Sequence, residues 1–508
     1  MSRFDDLLSD PYADRRYLVV VEPFDAGLGA TRTLRFSDHG FVTQPGDDPP
    51  NAWYEPRLVT ALNFERQLFS AGHLRGRSVP GFGALTLNNA DGALDGLAAL
   101  AWDGRRVRVW LGGDGFALSE FGLVFDGTAE QVAFDDLLLT LRLRDLQARF
   151  EAEVARSSYA GTGGFEGREG LAGRPRPLCF GRALRVPAVL VDPAALLYQV
   201  HDGPIAEVDA VYDRGLAVTK VVGVPAAGQF SSDPATGCFS LGASPAGTVT
   251  ADVRGDAPAG DGGGYIETAA ALVRRIATTR AGFTDPGDLD LDAFAALGAA
   301  VPAPVGLFVE DETPLVELLD ALMDAVGGHY GFDRAGRLTV GRIEPPAAVI
   351  DAEFDAVQIL EIERVAVARP IWRQKLGYGR YWRTLDPDAV AGAVDDGTRA
   401  DLAEGFRYAS AEDPAIRTRH LLAEEAVRDT ALADAVDAQA EAARRLALFG
   451  ADRDAFRVRL KTQPFSLDLG RTVRIRYPRY GLAAGRALLV VGMVEDAAVN
   501  EVTLDLWG

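Results

Sequence analysis

Over the first 150 positions apolar and polar residues alternate in short runs. "RRYLVVVEPF" (15–24), "TRTLRFS" (31–37), "GALTLNN" (83–89) and "RRVRVWLG" (105–112) are separated by clusters of Gly, Asp and Pro, and each predicts a short strand. In the last of these, Val107, Val109 and Leu111 alternate with Arg106, Arg108 and Trp110, which places three apolar side chains on one face. Residues 122–146 predict a hairpin. Short strands at regular spacing predict a barrel or sandwich.

Beyond residue 264 the apolar period lengthens. "YIETAAALVRRIATTRAG" sets Ile266, Ala269, Leu272, Val273 and Ile276 on one helical face, with Gly282 as a stop. "DETPLVELLDALMDAVGG" starts near Pro314, carries Leu315, Leu318, Leu319, Leu322 and Val326 on one stripe, and ends at Gly327. "GFDRAGRLTVGRI" (331–343) predicts a hairpin turning at "DRAG". A long acidic helix is predicted over 418–449, with Leu432, Val436, Ala440, Ala443 and Leu446 as its apolar stripe and Arg444 and Arg445 near its negative end. Residues 454–508 return to strands.

At 508 residues the chain predicts about three or four domains. Its 48% hydrophobic and 25% charged residues are those of a globular protein. The longest apolar run, Ala295 to Val309, is interrupted by Pro302 and Pro304. The acidic start "MSRFDDLLSD" has no signal-peptide pattern, so synthesis and retention in a cytoplasm, or exit by a route other than secretion, is expected. Two cysteines, Cys179 and Cys238, are too few for a disulfide framework or a four-thiolate cluster. The net charge of −21 disfavours tight nucleic-acid binding and suits a passage that must not hold DNA.

Candidate chemistry is sparse. "YAGTGGFEGREGLAGRPRPLCFG" (159–181) holds seven glycines, yet it lacks the Gly-Lys-Ser/Thr of a phosphate loop. Glu166 stands where a dinucleotide loop needs its last glycine, and "RPRP" favours extended backbone. A connecting loop with close backbone approaches explains it better. Asp288, Asp290 and Asp292 have calcium-loop spacing, but Ala293 and Ala299 replace the required Gly and Glu, so a helix-capping Asp is the better reading. His39, His73, His201, His329 and His420 are scattered singly, and no metalloprotease or serine-hydrolase motif accompanies them. No catalytic, cofactor or metal residue is nominated. Trp372, Tyr378, Tyr381 and Trp382, interleaved with Arg373, Arg380 and Arg383, form a candidate aromatic contact surface, or else a packed strand pair. Arg471, Arg474, Arg476 and Arg479 form a candidate interface, matched to the acidic stretch 386–441 or to a neighbouring subunit.

A linear series of segments carries a family resemblance. "RTLRFSDHGFVT", "WYEPRL" and "FSAGHLRGRSVPGFGALTLNNADGALDGL" are followed by the glycine-rich stretch running into "GRPRPLCFGRALRVPAVLVDPAALLYQVHDGPI". "VGLFVEDETPLVELLDALMDAVGGHYGFDRAGRLTVG" and the final "LGRTVRIRYPRYGLAAGRALLVVGMVEDAAVNEVTLDLWG" complete it. The series resembles tail-tip, or baseplate, hub proteins of long-tailed bacteriophages and prophages, including the hub part of the lambda tip attachment protein and the myophage central hub.

The resemblance implies an α+β, predominantly β, multidomain chain with two tube-like β-barrel domains and a mixed α/β middle region. The expected divisions are an N-terminal barrel (1–155), a glycine-rich connection and β-rich domain (156–264), a helix-containing α/β domain (265–345), and a C-terminal hub domain with the acidic helix and second barrel (346–508). It implies a homotrimer without enzymatic activity or cofactor, meeting the distal tail protein, tail tube, tape measure protein and tail fibre or tip proteins. DNA would pass through it transiently, and no stable membrane insertion is expected. The location implied is the virion tail tip, with assembly in the host cytoplasm. A chain stopping at Gly508 lacks the fibre-like extension of the lambda protein, so no receptor binding is assigned. A hexameric distal tail ring, and a tip-associated cell-wall hydrolase or carbohydrate-binding module, are the alternative functions.

Overall fold

A computed structural model of the chain describes residues 2–10, 12–69, 79–155, 157–257, 264–461 and 465–508. His73 and most of the "GDGGG" cluster at 260–264 lie outside the described residues. The fold is predominantly β. Its largest element is a fifteen-stranded sheet built from both ends of the sequence. From one edge the order runs Ile359–Val365, Ala455–Leu460, Glu501–Trp507 and Arg486–Asp496, and then crosses to Leu58–Gln67. It continues through Phe82–Asn88, Leu138–Arg144, Gly122–Phe134, Arg106–Gly113, Arg15–Val21 and Leu34–Ser37. The short strands Trp53–Pro56 and Phe41–Val42 form the other edge.

Strict alternation explains why these segments are strands. Val107, Val109 and Leu111 are fully buried, and so are Leu139, Leu141 and Leu143 on the predicted hairpin. They join one apolar cluster beneath the N-terminal strands, and Phe456, Val458, Leu504 and Leu488 join a second beneath the C-terminal ones.

Residues 178–309 supply a nine-stranded sheet. Its strand Leu178–Pro187 pairs with Gly306–Val309, which leads into a helical layer. There Ala269–Thr279, Leu291–Ala300 and Leu315–Ala325 bury Leu272, Ile276, Phe294, Leu318 and Leu322 in one cluster with Phe150. The predicted hairpin is present as Gly328–Phe332 and Leu338–Arg342. None of the described helices is long and apolar enough to cross a membrane.

The long acidic helix is corrected. Residues 418–449 divide into the end of a helix (Pro414–Arg419), a strand (Glu424–Asp429) and a shorter helix (Ala435–Phe449). The strand forms because Ile371–Tyr378 offers it a parallel partner, and Ala426 is buried while Glu425 and Val427 face out. Tertiary pairing overrides the helical propensity of "AEEA".

The apolar stripe of that helix is corrected as well. Val436 is 80% exposed, and the buried side carries Ala438, Glu441, Ala442, Arg445 and Leu448. Glu441 accepts from Arg445 Nε at 2.7 Å and Arg444 Nε at 2.9 Å, and it also pairs with Arg342. Burial opposes its ionisation, but the arginines outweigh burial and hold its carboxyl below the usual range. Arg445 also donates to the carbonyls of Asp324 and Ala325, the open C-terminal end of the Leu315–Ala325 helix. Paired charge replaces apolar contact there.

Candidate assembly surface

The sheet is continuous because Leu58–Gln67 pairs antiparallel with Arg486–Asp496, from Asn63 opposite Asp496 to Gln67 opposite Gly492. This register turns Phe64, Arg66, Met493 and Glu495 inward. Arg66 Nη1 lies 2.8 Å from Asp468, and Glu495, 1% exposed, accepts from Arg334 Nη1 at 2.7 Å and from the Phe465 amide at 3.2 Å. Burial works against the Asp468 carboxylate, yet Arg66 and Arg334 prevail and keep its pKa below the ordinary value. The seam is thus closed by ladder hydrogen bonds and by paired buried charges.

The opposite, solvent-facing side follows from the same alternation. On Ala455–Leu460 the apolar residues point in, while Arg457 and Arg459 point out, followed by Lys461. The neighbouring strands place acids at matching register. Arg457 stands between Glu363 and Asp505, and Arg459 is opposite Glu361. Arg457 Nε donates to Asp505 at 2.8 Å, Arg459 Nε is 3.8 Å from Glu501, and Lys461 Nζ is 3.5 Å from the same carboxylate. Across the seam the pairs are less open to solvent: exposed Arg106 holds buried Asp126, and Arg108 and Glu22 are both half-buried. On the C-terminal strands the face is charged but locally neutralised, whereas exposed Arg142 on Leu138–Arg144 has no ion pair among the described residues. These residues were not nominated from sequence, although the alternation in "FRVRLK" set against "ILEIER" and "VTLDLW" carries the signal.

The four candidate arginines fall on or beside the strand Thr472–Ile475. Arg471 lies 3.7 Å from Asp351, and Arg474 and Arg476 reach Glu353 at 3.4 and 2.8 Å. Their acids come from the parallel neighbour strand Ala352–Phe354 and its flank, not from 386–441. Arg479 covers the Tyr480 ring at 5.0 Å. All three paired arginines keep much of their side chains exposed.

The aromatic segment is spread over several contacts. Tyr378 and Trp382 pack on the core of the helical layer, and Trp382 meets Phe308 at 5.9 Å. Tyr381 donates to Asp401 at 2.9 Å beneath Arg407 and is approached by Arg185. Trp372 sits apart under Arg417.

The glycine-rich stretch folds on itself. Tyr159 and Arg174 exchange a backbone contact, Arg176 pairs with Glu166, and buried Tyr159 donates to Gln199 at 2.6 Å. Glu166 also accepts from the Ala160 amide, and the amides of Gly161, Gly163 and Gly167 donate to backbone carbonyls within the loop. At Gly181, φ is +63° and an added Cβ would lie 2.1 Å from the Val305 carbonyl oxygen. That close approach requires glycine.

Asp290 caps the helix Leu291–Ala300 through the Ala293 amide, while Asp288 accepts from Thr284. Among the described residues no group of three His, Cys, Asp or Glu side chains is placed to hold a metal. Cys179 and Cys238 are free and buried, and burial raises both thiols, Cys238 to about 11. Burial lowers His201 to about 3 and His329 to about 4. His201 Nδ1 accepts from the Cys179 amide at 2.9 Å. His39 is exposed beside Asp38, and His420 pairs with Asp452.

No protein-family profile matches the chain, and no curated protein matches it. Among solved structures it is similar to a tail protein from Neisseria meningitidis, at 10% identity and a TM-score of 0.39, covering 97% of this chain and 96% of that one. It is similar to the 43 kDa tail protein of prophage MuSo2 from Shewanella oneidensis, at 10% identity and a TM-score of 0.39, covering 96% and 98%. A chain of a native gene transfer agent virion is similar over 66% of this chain and 84% of that one, at 16% identity and a TM-score of 0.40.

Proposed function

We propose that the chain is a structural component of the tail tip of a long-tailed phage, or of a prophage-derived particle. It acts as a hub that closes the tail tube, anchors other tip proteins and lets DNA through. The observation that carries this reading is the outward face of the C-terminal strands of the fifteen-stranded sheet, where Arg457, Arg459 and Lys461 are matched by Asp and Glu. Each unpaired cation on a tube wall would add a phosphate contact and slow the duplex, and an unbroken acidic wall would repel it. A wall of local ion pairs does neither. The series of matching sequence segments supports the same reading.

In this reading the N-terminal and C-terminal strand sets are two tube-like domains, with the division of the chain set out above. Three chains then supply six such domains to match a sixfold tube. The distal tail protein, tail tube, tape measure protein and tip fibres are its neighbours, and Arg471, Arg474, Arg476 and Arg479 and the aromatic segment contribute to contacts. The role is structural rather than catalytic.

The test is a reconstruction of the tail tip, together with duplex DNA binding by the purified chain near physiological salt. A threefold ring beneath the tube and negligible DNA retention are expected. A sixfold ring of this chain, or tight and steeply salt-dependent DNA binding, overturns the reading.

A further inference from the structure

Among the described residues the strand Ile359–Val365 pairs only with Ala455–Leu460, which leaves its far edge open. The chain then runs on through exposed residues 366–369, which belong to no helix or strand, and among the described residues no hydrogen bond is made by the amides of Ala366, Val367 and Ala368. This open backbone borders a cleft of about 930 Å³ between the C-terminal sheet and the three-stranded sheet around Ile371–Tyr378. Val365, Val367, Phe449, Phe456 and Trp507 give the cleft apolar walls.

Its charge departs from that of the whole chain. Arg364, Arg369, Arg453, Arg457 and Arg486 line it against Asp452, Asp454 and Asp505, in a protein whose net charge is −21. Arg364 and Arg486 share Asp454, Arg457 holds Asp505, and Arg369 pairs with Glu424 at 3.0 Å. Arg453 lies over the Trp507 ring at 4.9 Å and donates to the Leu448 carbonyl, with no carboxylate at ion-pair distance among the described residues.

We infer that this cleft is a docking site for an extended acidic and apolar segment of a partner protein, which adds as a strand along 359–368. Its backbone would pair with the open edge, alternate side chains would pack on exposed Val367 beside the mutually contacting Phe449 and Trp507 rings, and a carboxylate would meet Arg453. An edge with unpaired amides selects an extended backbone, and Arg453, which has no carboxylate at ion-pair distance among the described residues, selects an acidic side chain.

The test uses the full chain and a short, labelled, acetylated peptide alternating Asp with Val and Phe, followed by fluorescence anisotropy. Saturable single-site binding is expected. It should weaken at least about tenfold when Lys replaces Asp in the peptide, when alternate peptide nitrogens are methylated, and in Arg453→Glu. Val367→Asp, at an exposed position, should weaken it similarly and carries the test if Arg453→Glu does not fold. Absence of saturable binding, or binding indifferent to N-methylation and to both variants, overturns the proposal. Self-association of the chain that is lost in the same variants makes a second copy the occupant and overturns the assignment to a partner.

Discussion

Arg334, at the tip of the hairpin turn after Phe332, reaches across to Glu495 on the C-terminal sheet, with Nη1 2.7 Å from Oε2. A second nitrogen of the same guanidinium bonds the Leu467 carbonyl at 2.5 Å. One side chain therefore ties the middle of the sequence to the seam that joins its two ends.

Removing Arg334 leaves a carboxylate of 1% exposure without its main partner. Arg334→Ala should cost about 3–5 kcal/mol, as breaking one side of a buried pair does. Combining Arg334→Met with Glu495→Gln should recover most of that loss, because no buried charge is then left alone. Urea unfolding of the three proteins checks this. A single-variant cost below about 1 kcal/mol would show that the pair does not hold the seam.

The helix Ala435–Phe449 makes the same argument from the opposite direction. Glu441→Ala leaves Arg342, Arg444 and Arg445 converging on a vacant position, and a loss of about 3–5 kcal/mol is expected. An exposed residue of the same helix, Val436→Ala, should change stability by less than about 0.5 kcal/mol. Equal effects of the two variants in thermal melts would refute the buried cluster.

These two sites mark how far the sequence could be read. Strands with strict alternation, such as Arg106–Gly113, were legible because one face is apolar and the other is not. The two amphipathic helices at Ala269–Thr279 and Leu315–Ala325 were legible for the same reason. The third was misread because its buried face carries Glu441 and Arg445, and periodicity cannot see charges that satisfy one another. Joining the two ends into one sheet was not legible, since the pairing of Leu58–Gln67 with Arg486–Asp496 spans over 400 residues. For the arginines near 474, sequence showed the exposed face but not the acid. Glu353 lies more than a hundred positions away and is paired through a parallel strand.

Glycine at 181 is required by both conformation and space. Gly181→Ala would push a methyl group against the Val305 carbonyl at a left-handed φ, and should destabilise by about 2 kcal/mol or more. Gly163 also has positive φ, at +99°, but its added Cβ would meet nothing. Gly163→Ala should cost less. Denaturant midpoints rank the two, and the reverse order would remove close approach as the reason for the glycine.

Stability should fall in mild acid. His201, 2% exposed, is lowered to about 3 by burial and by nearby Arg280, and the partly buried His329 to about 4, both below the ordinary value near 6.5. The unfolded chain takes up protons below pH 6.5 that the folded chain refuses. The contribution is therefore complete above pH 6.5 and is lost as pH drops toward the folded values, by about 1.4 kcal/mol per unit and per histidine. His201→Asn keeps an acceptor for the Cys179 amide and should flatten part of the slope between pH 6 and 4. An unchanged slope in pH-dependent unfolding would mean that His201 protonates in the native state.

Arg474 and Arg476 allow the in-chain and interfacial roles to be separated. Both pair with Glu353 and both remain 39% or more exposed, so each can hold its own acid and still present charge outward. Arg474→Glu with Arg476→Glu sets three acids together, and the fold should lose no more than about 1 kcal/mol per exposed pair. Adding Glu353→Arg restores the in-chain attraction with its sign reversed. If the arginines served only Glu353, this triple variant would enter tails as the parent does. If they also meet an acidic patch on a neighbour, as proposed above, it should melt near the parent temperature and still fail to incorporate, because like charges then face each other. Normal incorporation of the triple variant, scored in purified tails, would confine the role of these arginines to their own chain.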